Sequence, residues 1–207
     1  MKNIKVIFFD LFNTLIYLSE ENHTFKTVFI ENGITDSTKL EKVKKIVLTK
    51  ELVTYDDFIK EFELPNIPSA REIFNACTYH AKKAKKFTEV DMVLAKLRQK
   101  GFGICVISNI SSIYKDAVFH CGLTNIFDEI IFSCEVGYRK PEEQIFNIAC
   151  KKMLISPKEG LMIGDSLKSD YQGAQNAGMN TVLLNRKSRK IDVPSIFSLE
   201  DLLLFFS

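Results

Sequence analysis

Short runs of consecutive apolar residues recur along the chain at Ile4–Phe9, Gly103–Ile107, Glu129–Phe132, Leu161–Gly164 and Thr181–Leu184. Runs that are apolar at nearly every position, rather than at alternate ones, suit parallel strands buried on both faces. The stretches between the last four repeat apolar residues at helical spacing. Ser111–Gly122 places Ile113, Ala117, Val118 and Cys121 on one stripe, and Pro141–Met153 does so with Ile145, Ile148, Ala149 and Met153, with proline set at the first turn. Lys168–Gly178 ends on a glycine, and Ser198–Phe206 opens on a cap-like serine with Asp201 three residues on. Alternating strands and helices predict an α/β fold with a parallel sheet.

One interval breaks the alternation. Between the first strand and the second the pattern is helical throughout, over Thr24–Asn32, Ser37–Leu52, Tyr55–Glu63, Ser69–Lys86 and Thr88–Lys100. Thr88 and Asp91 read as a capping box, so the last of these is the helix that returns the chain to the sheet. The other four predict an inserted all-helical subdomain over residues 16–85, leaving 1–15 and 86–207 as the α/β core. The lysine-rich stretch 81–86 reads as a solvated helix face.

Composition narrows the classes. With 46% hydrophobic and 26% charged residues, the 207-residue chain matches ordinary globular usage, which excludes wholesale disorder. A net charge of +2 gives no general attraction to nucleic acid or anionic membrane. The apolar run near the start is too short for a bilayer span and has no small-residue cleavage site, so it reads as a strand. Five cysteines, an odd number without a CxxC pair, argue against a disulfide framework and for a reducing cytoplasmic setting.

The chemistry lies at the strand ends, since ligands of open α/β sheets bind beyond the carboxyl edge. The first strand ends in Asp10, followed by Leu11-Phe12-Asn13-Thr14; the second ends in Ser108-Asn109; Lys140-Pro141 follows the third; the fourth ends in Gly164-Asp165-Ser166, with Asp170 beyond. Singly, each is an ordinary turn or cap residue. Together they bring carboxylates, hydroxyls and an ammonium to one sheet edge. Asp10 and Asp165 can hold a hard cation such as Mg2+. Lys140 can neutralise a bound phosphate, while Thr14 and Ser108 offer it hydroxyls. With that charge screened, Asp10 can attack phosphorus. The basic run Arg186–Lys190 reads as a solvated loop or a lure for anions.

This ordered set resembles the haloacid dehalogenase-like hydrolase superfamily over the whole chain. Asp10 to Thr14 match its nucleophile motif, Ser108 its second motif, Lys140-Pro141 its third, and Gly164-Asp165-Ser166 with Asp170 its acidic fourth. The helical insertion falls where the superfamily carries its type 1 cap. The resemblance implies a Rossmannoid core with the first strand central, and an Mg2+-dependent phosphohydrolase acting on a small phosphorylated substrate. Asp10 and Lys140 would be catalytic and Thr14, Ser108 and Asn109 would contact the substrate. Asp10, Asp165 and the main-chain carbonyl of Phe12 would bind metal, supported by Ser166 and Asp170.

Phe12 departs from that pattern. Phosphatases of the superfamily place an aspartate there, which protonates the leaving oxygen and then activates water. Phenylalanine does neither, and general acid–base help is worth about 10²–10⁴-fold. The superfamily's metal-free 2-haloacid dehalogenases do carry an aromatic residue there. They lack the acid matching Asp165, however, and use a cap arginine, whereas residues 16–70 contain no arginine. A third reading is a catalytically impaired protein that binds a phosphorylated ligand or a partner without turnover. The sequence leaves substrate identity and oligomeric state unread.

Overall fold

A computed structural model describes residues 3–18, 25–64, 67–188 and 190–206. Six parallel strands among these form one sheet. They are β1 (Val6–Phe9), β4 (Gly103–Ser108), β5 (Glu129–Phe132), β6 (Gly160–Gly164), β7 (Asn180–Leu184) and β8 (Ser195–Ile196). Their order across the sheet is β5-β4-β1-β6-β7-β8. All four β1 side chains are buried. Ile7 and Phe9 join one apolar cluster, with Leu94 and Leu97, while Val6 and Phe8 join the other, with Ile145 and Phe146. A strand covered on both faces has no solvated side for alternate polar residues, which is why these strands read as unbroken apolar runs.

The register places the functional tips. Phe9 pairs with Val106 and with Ile163. The Asp10 amide continues the ladder by donating to Ile163 O at 2.8 Å. Asp10 therefore lies between the ends of β4 and β6, where the strand order reverses: the chain runs outward from β1 to β4 and β5, then crosses back to β6 on the other side of β1. Such a reversal in strand order opens a crevice at the carboxyl edge.

After β1 the chain forms β2 (Ile16–Tyr17), then α1 (Phe25–Glu31), α2 (Ser37–Thr49), α3 (Tyr55–Phe62) and α4 (Pro68–Ala81), and returns through β3 (Lys85–Lys86). The four helices share an apolar cluster built on Phe29, Val47, Phe58 and Phe74. Ile113 and Tyr114, from the turn after β4, complete it. Three further contacts hold the helices against the sheet. Leu52 N donates to Ser112 Oγ at 3.1 Å, Lys115 Nζ spans Glu51 (2.6 Å) and Glu135 (2.9 Å), and Lys45 lies 3.7 Å from Glu142. The remaining helices are α5 (Val90–Gln99), α6 (Asp116–His120), α7 (Ser133–Val136), α8 (Glu143–Lys152) and α9 (Gly173–Asn176).

Several local expectations are corrected. The predicted helix 69–86 stops at Ala81, and Lys85 and Lys86 instead pair antiparallel with Tyr17 and Ile16. Asp91 does not close a capping box; it binds Lys86 Nζ at 2.6 Å, and no side chain caps α5. Pro141 precedes α8 rather than opening it, in a cis peptide with Lys140. The helices predicted at 111–122, 168–178 and 198–206 are instead shorter and mixed. The first splits into a 3-10 turn (Ser112–Tyr114) and α6, the second is a π turn (Leu167–Gln172) running into α9, and the last is 3-10 throughout (Leu199–Phe206). β8, only two residues long, is too short to leave a pattern in the sequence. Thr24 and Arg189 lie outside the described residues.

Two glycines fit the active edge together by close approach. A Cβ on Gly164 would overlap Asp170 Cγ, and one on Gly173 would fall 2.9 Å from Pro141 Cα. Gly164→Ala is therefore expected to force Asp170 out of place and to lower stability by about 1–3 kcal/mol. Thermal unfolding checks this; an unchanged midpoint would show that Asp170 does not need the space.

Candidate active site

Lys140 organises the site. Its side chain is 1% exposed, and its Nζ lies 2.6 Å from Asp10 Oδ1, from Asp170 Oδ1 and from Ile107 O. The ammonium donates to Asp10 Oδ1 and to Ile107 O and forms an ion pair with Asp170, the compensation that a lysine buried this deeply requires. Its backbone is fixed as firmly. Lys140 N donates to Asn109 Oδ1 at 2.7 Å, and Asn109 Nδ2 donates to Lys140 O at 2.7 Å. This reciprocal pair ties the loop before α8 to the end of β4.

Asp10 and Asp170 divide the lysine between them, but only Asp10 is reachable. Its side chain is 12% exposed against 3% for Asp170. Thr14 Oγ1 donates to the second Asp10 oxygen at 3.3 Å. Asp170 Oδ2 accepts from Ser166 N at 2.9 Å, and Ser169 N donates to Ser166 Oγ at 3.1 Å, closing the turn after β6. That turn is a π turn, whose wider i→i+5 spacing carries Asp170 back over Gly164.

Burial pushes the Asp10 carboxyl up to about 7, with Asp170 and Asp165 adding to the rise and Lys140 opposing it. Burial pulls the Lys140 ammonium down, but Asp10 and Asp170 outweigh it and hold it above its usual range. Any further cation near Asp10 favours its ionised, nucleophilic form.

Asp10, Asp165 and Asp170 each present a carboxylate oxygen within 4.8 Å of the others. Three carboxylates against one ammonium leave an excess of two negative charges when all are ionised. An all-oxygen donor set with that excess fits a hard divalent cation such as Mg2+.

The sequence-derived residues thus fall into two groups. Asp10, Thr14, Asn109, Lys140, Ser166 and Asp170 are linked by hydrogen bonds or ion pairs, and Asp165 joins them through the carboxylate cluster. Ser108 sits buried at the end of β4, one residue before Asn109. Phe12 is half-buried, packs against the apolar cluster of the sheet and meets Tyr114 edge-on at 6.0 Å. Asp170, expected to support the site, pairs directly with Lys140.

Arg186 departs from the solvated or anion-attracting run that its sequence neighbours suggest. It stacks on Phe87 at 3.7 Å, donates to Thr14 O at 2.8 Å and pairs with Glu89 at 2.7 Å. It therefore braces the loop that carries Thr14. Its partners are too distant in sequence for spacing to reveal this.

Comparison with known proteins agrees with this geometry. The glyceraldehyde 3-phosphate phosphatase of Methanothermobacter thermautotrophicus is 28% identical over 194 residues, covering 88% of this chain and 86% of its own length. Among solved structures, an HAD phosphatase from Thermococcus onnurineus superposes with a TM-score of 0.69 at 22% identity, covering 98% of each chain. A 2-haloacid dehalogenase from Pseudomonas syringae pv. Tomato superposes with a TM-score of 0.70 at 19% identity, covering 99% of this chain and 100% of its own. These superpositions speak to the fold. A family model for haloacid dehalogenase-like hydrolases matches residues 7–184, and with its sheet order and strand-end residues in place the chain belongs to that family.

Proposed function

We propose that the protein is a phosphohydrolase that cleaves small phosphate esters or anhydrides through a phosphorylated Asp10. The observation that carries this reading is the cluster of three carboxylates at the sheet edge, in which Asp10 is held by Lys140 and stays partly exposed. Phosphatase relatives support it.

Asp10, Asp165 and the main-chain carbonyl of Phe12 would hold Mg2+, with Asp170 closing the donor set. When bound, the ion supplies charge neutralisation for the phosphoryl group and the nucleophile. Lys140 fixes one Asp10 oxygen, and Thr14, Ser108 and Asn109 line the place where a phosphoryl group would sit. An Asp10 oxygen attacks phosphorus as the bond to the leaving oxygen breaks. Water then attacks the same phosphorus, releases inorganic phosphate and restores Asp10. The helical unit, residues 16–85, would act as a cap over the core, 1–15 and 86–207.

Phe12 cannot protonate the leaving group, so leaving groups that need no proton should react best. Acyl and aryl phosphates are expected to turn over faster than sugar phosphates, and EDTA is expected to abolish phosphate release. Equal rates across such a panel would show that another group supplies the proton. Halide release from 2-chloropropionate that persists in EDTA would instead establish the dehalogenase alternative. The carboxylate at Asp165 weighs against that alternative, as does Arg71, which is engaged by Asp56 at 2.6 Å and by the Tyr55 ring.

Phe12→Asp restores an acid two residues after the nucleophile. It is expected to raise kcat on alkyl phosphates by up to about 10²-fold. A folded variant without gain would remove Phe12 as the bottleneck.

A further inference from the structure

Between α2 and the turn after β4 lies a cavity of about 680 Å³. Phe12 and Asn109 belong to its wall, so it adjoins the strand ends that carry Asp10 and Lys140. Its size falls in the range of about 300–1,000 Å³ typical of small-molecule sites. Phe12, Ile110 and Tyr114 line it from the core, and Leu40, Val43 and Val47 from α2. Its charged wall residues are Glu41 and Lys44, whose side chains are 67% and 61% exposed and lie 3.9 Å apart at the rim. Ser111 also belongs to the wall. The residue is 3% exposed, and its Oγ has no hydrogen-bond partner among the described residues. That oxygen is closed off from solvent, so it adds no polar group to the chamber's open face.

A polyhydroxylated leaving group entering this chamber would lose water without finding partners for most of its hydroxyls. An aromatic ring would meet a wall that is mostly apolar and aromatic. We propose that the chamber receives the leaving group of the substrate, and that it selects an aromatic body over a polyhydroxylated one. This rests on the phosphohydrolase reading and adds the substrate class. It is separate from the electronic effect of Phe12, because it concerns the body of the leaving group and not its need for a proton.

The test holds the leaving chemistry constant. Phenethyl phosphate and glycerol 1-phosphate are both primary alkyl esters and differ in the body that enters the chamber. With Mg2+ present, kcat/KM is expected to favour phenethyl phosphate by at least about tenfold, chiefly through a lower KM. Leu40→Gln is expected to erode that preference. Acetyl phosphate, too small to fill the chamber, reports on the reaction itself. If it is hydrolysed while glycerol 1-phosphate matches or exceeds phenethyl phosphate, the chamber inference is overturned and the phosphohydrolase reading stands. If it is not hydrolysed, the phosphohydrolase reading falls and takes this inference with it.

Discussion

A single ammonium group holds the active edge together. Lys140 is buried among Asp10, Asp170 and the Ile107 carbonyl, each at 2.6 Å. Those partners come from the ends of β1 and β4 and from the turn after β6. No one of them would tolerate burial alone, because an uncompensated interior charge costs several kcal/mol. The lysine therefore sets the positions of three strand ends at once, and the Asn109 amide locks its backbone in turn.

The arrangement is still unbalanced, and the imbalance is functional. One ammonium cannot neutralise three neighbouring carboxylates, so the cluster retains negative charge where an anionic substrate would arrive. A divalent cation resolves that conflict: it lowers the cost of keeping Asp10 ionised and removes the repulsion between Asp10 and phosphate. Sheet topology makes this convergence possible. Because β1 lies between β4 and β6, its carboxyl end meets loops from both halves of the sheet.

Much of this is legible in the sequence for physical reasons. Strands buried on both faces announce themselves as unbroken apolar runs, and the residues that follow them can be picked out without knowledge of any contact. What escapes depends on contacts distant in sequence or on backbone geometry. Lys85 and Lys86 look like a helix face until Ile16 and Tyr17 pair with them. Asp91 has the spacing of a capping box but is captured by Lys86. The centrality of Asp170 depends on a π turn and on the missing Cβ at Gly164, neither of which is a side-chain pattern. Arg186 belongs by composition to a surface run, yet it is recruited by Phe87, Glu89 and the Thr14 carbonyl.

The excess negative charge of the carboxylate cluster can be measured without any assumption about substrate. Isothermal titration calorimetry of the native chain with Mg2+ is expected to show one ion bound per chain. Asp165→Asn is expected to weaken that binding by at least about tenfold. A native, folded chain that takes up no magnesium, or an Asp165→Asn variant that binds it equally well, would contradict the assignment of these acids as a cation site.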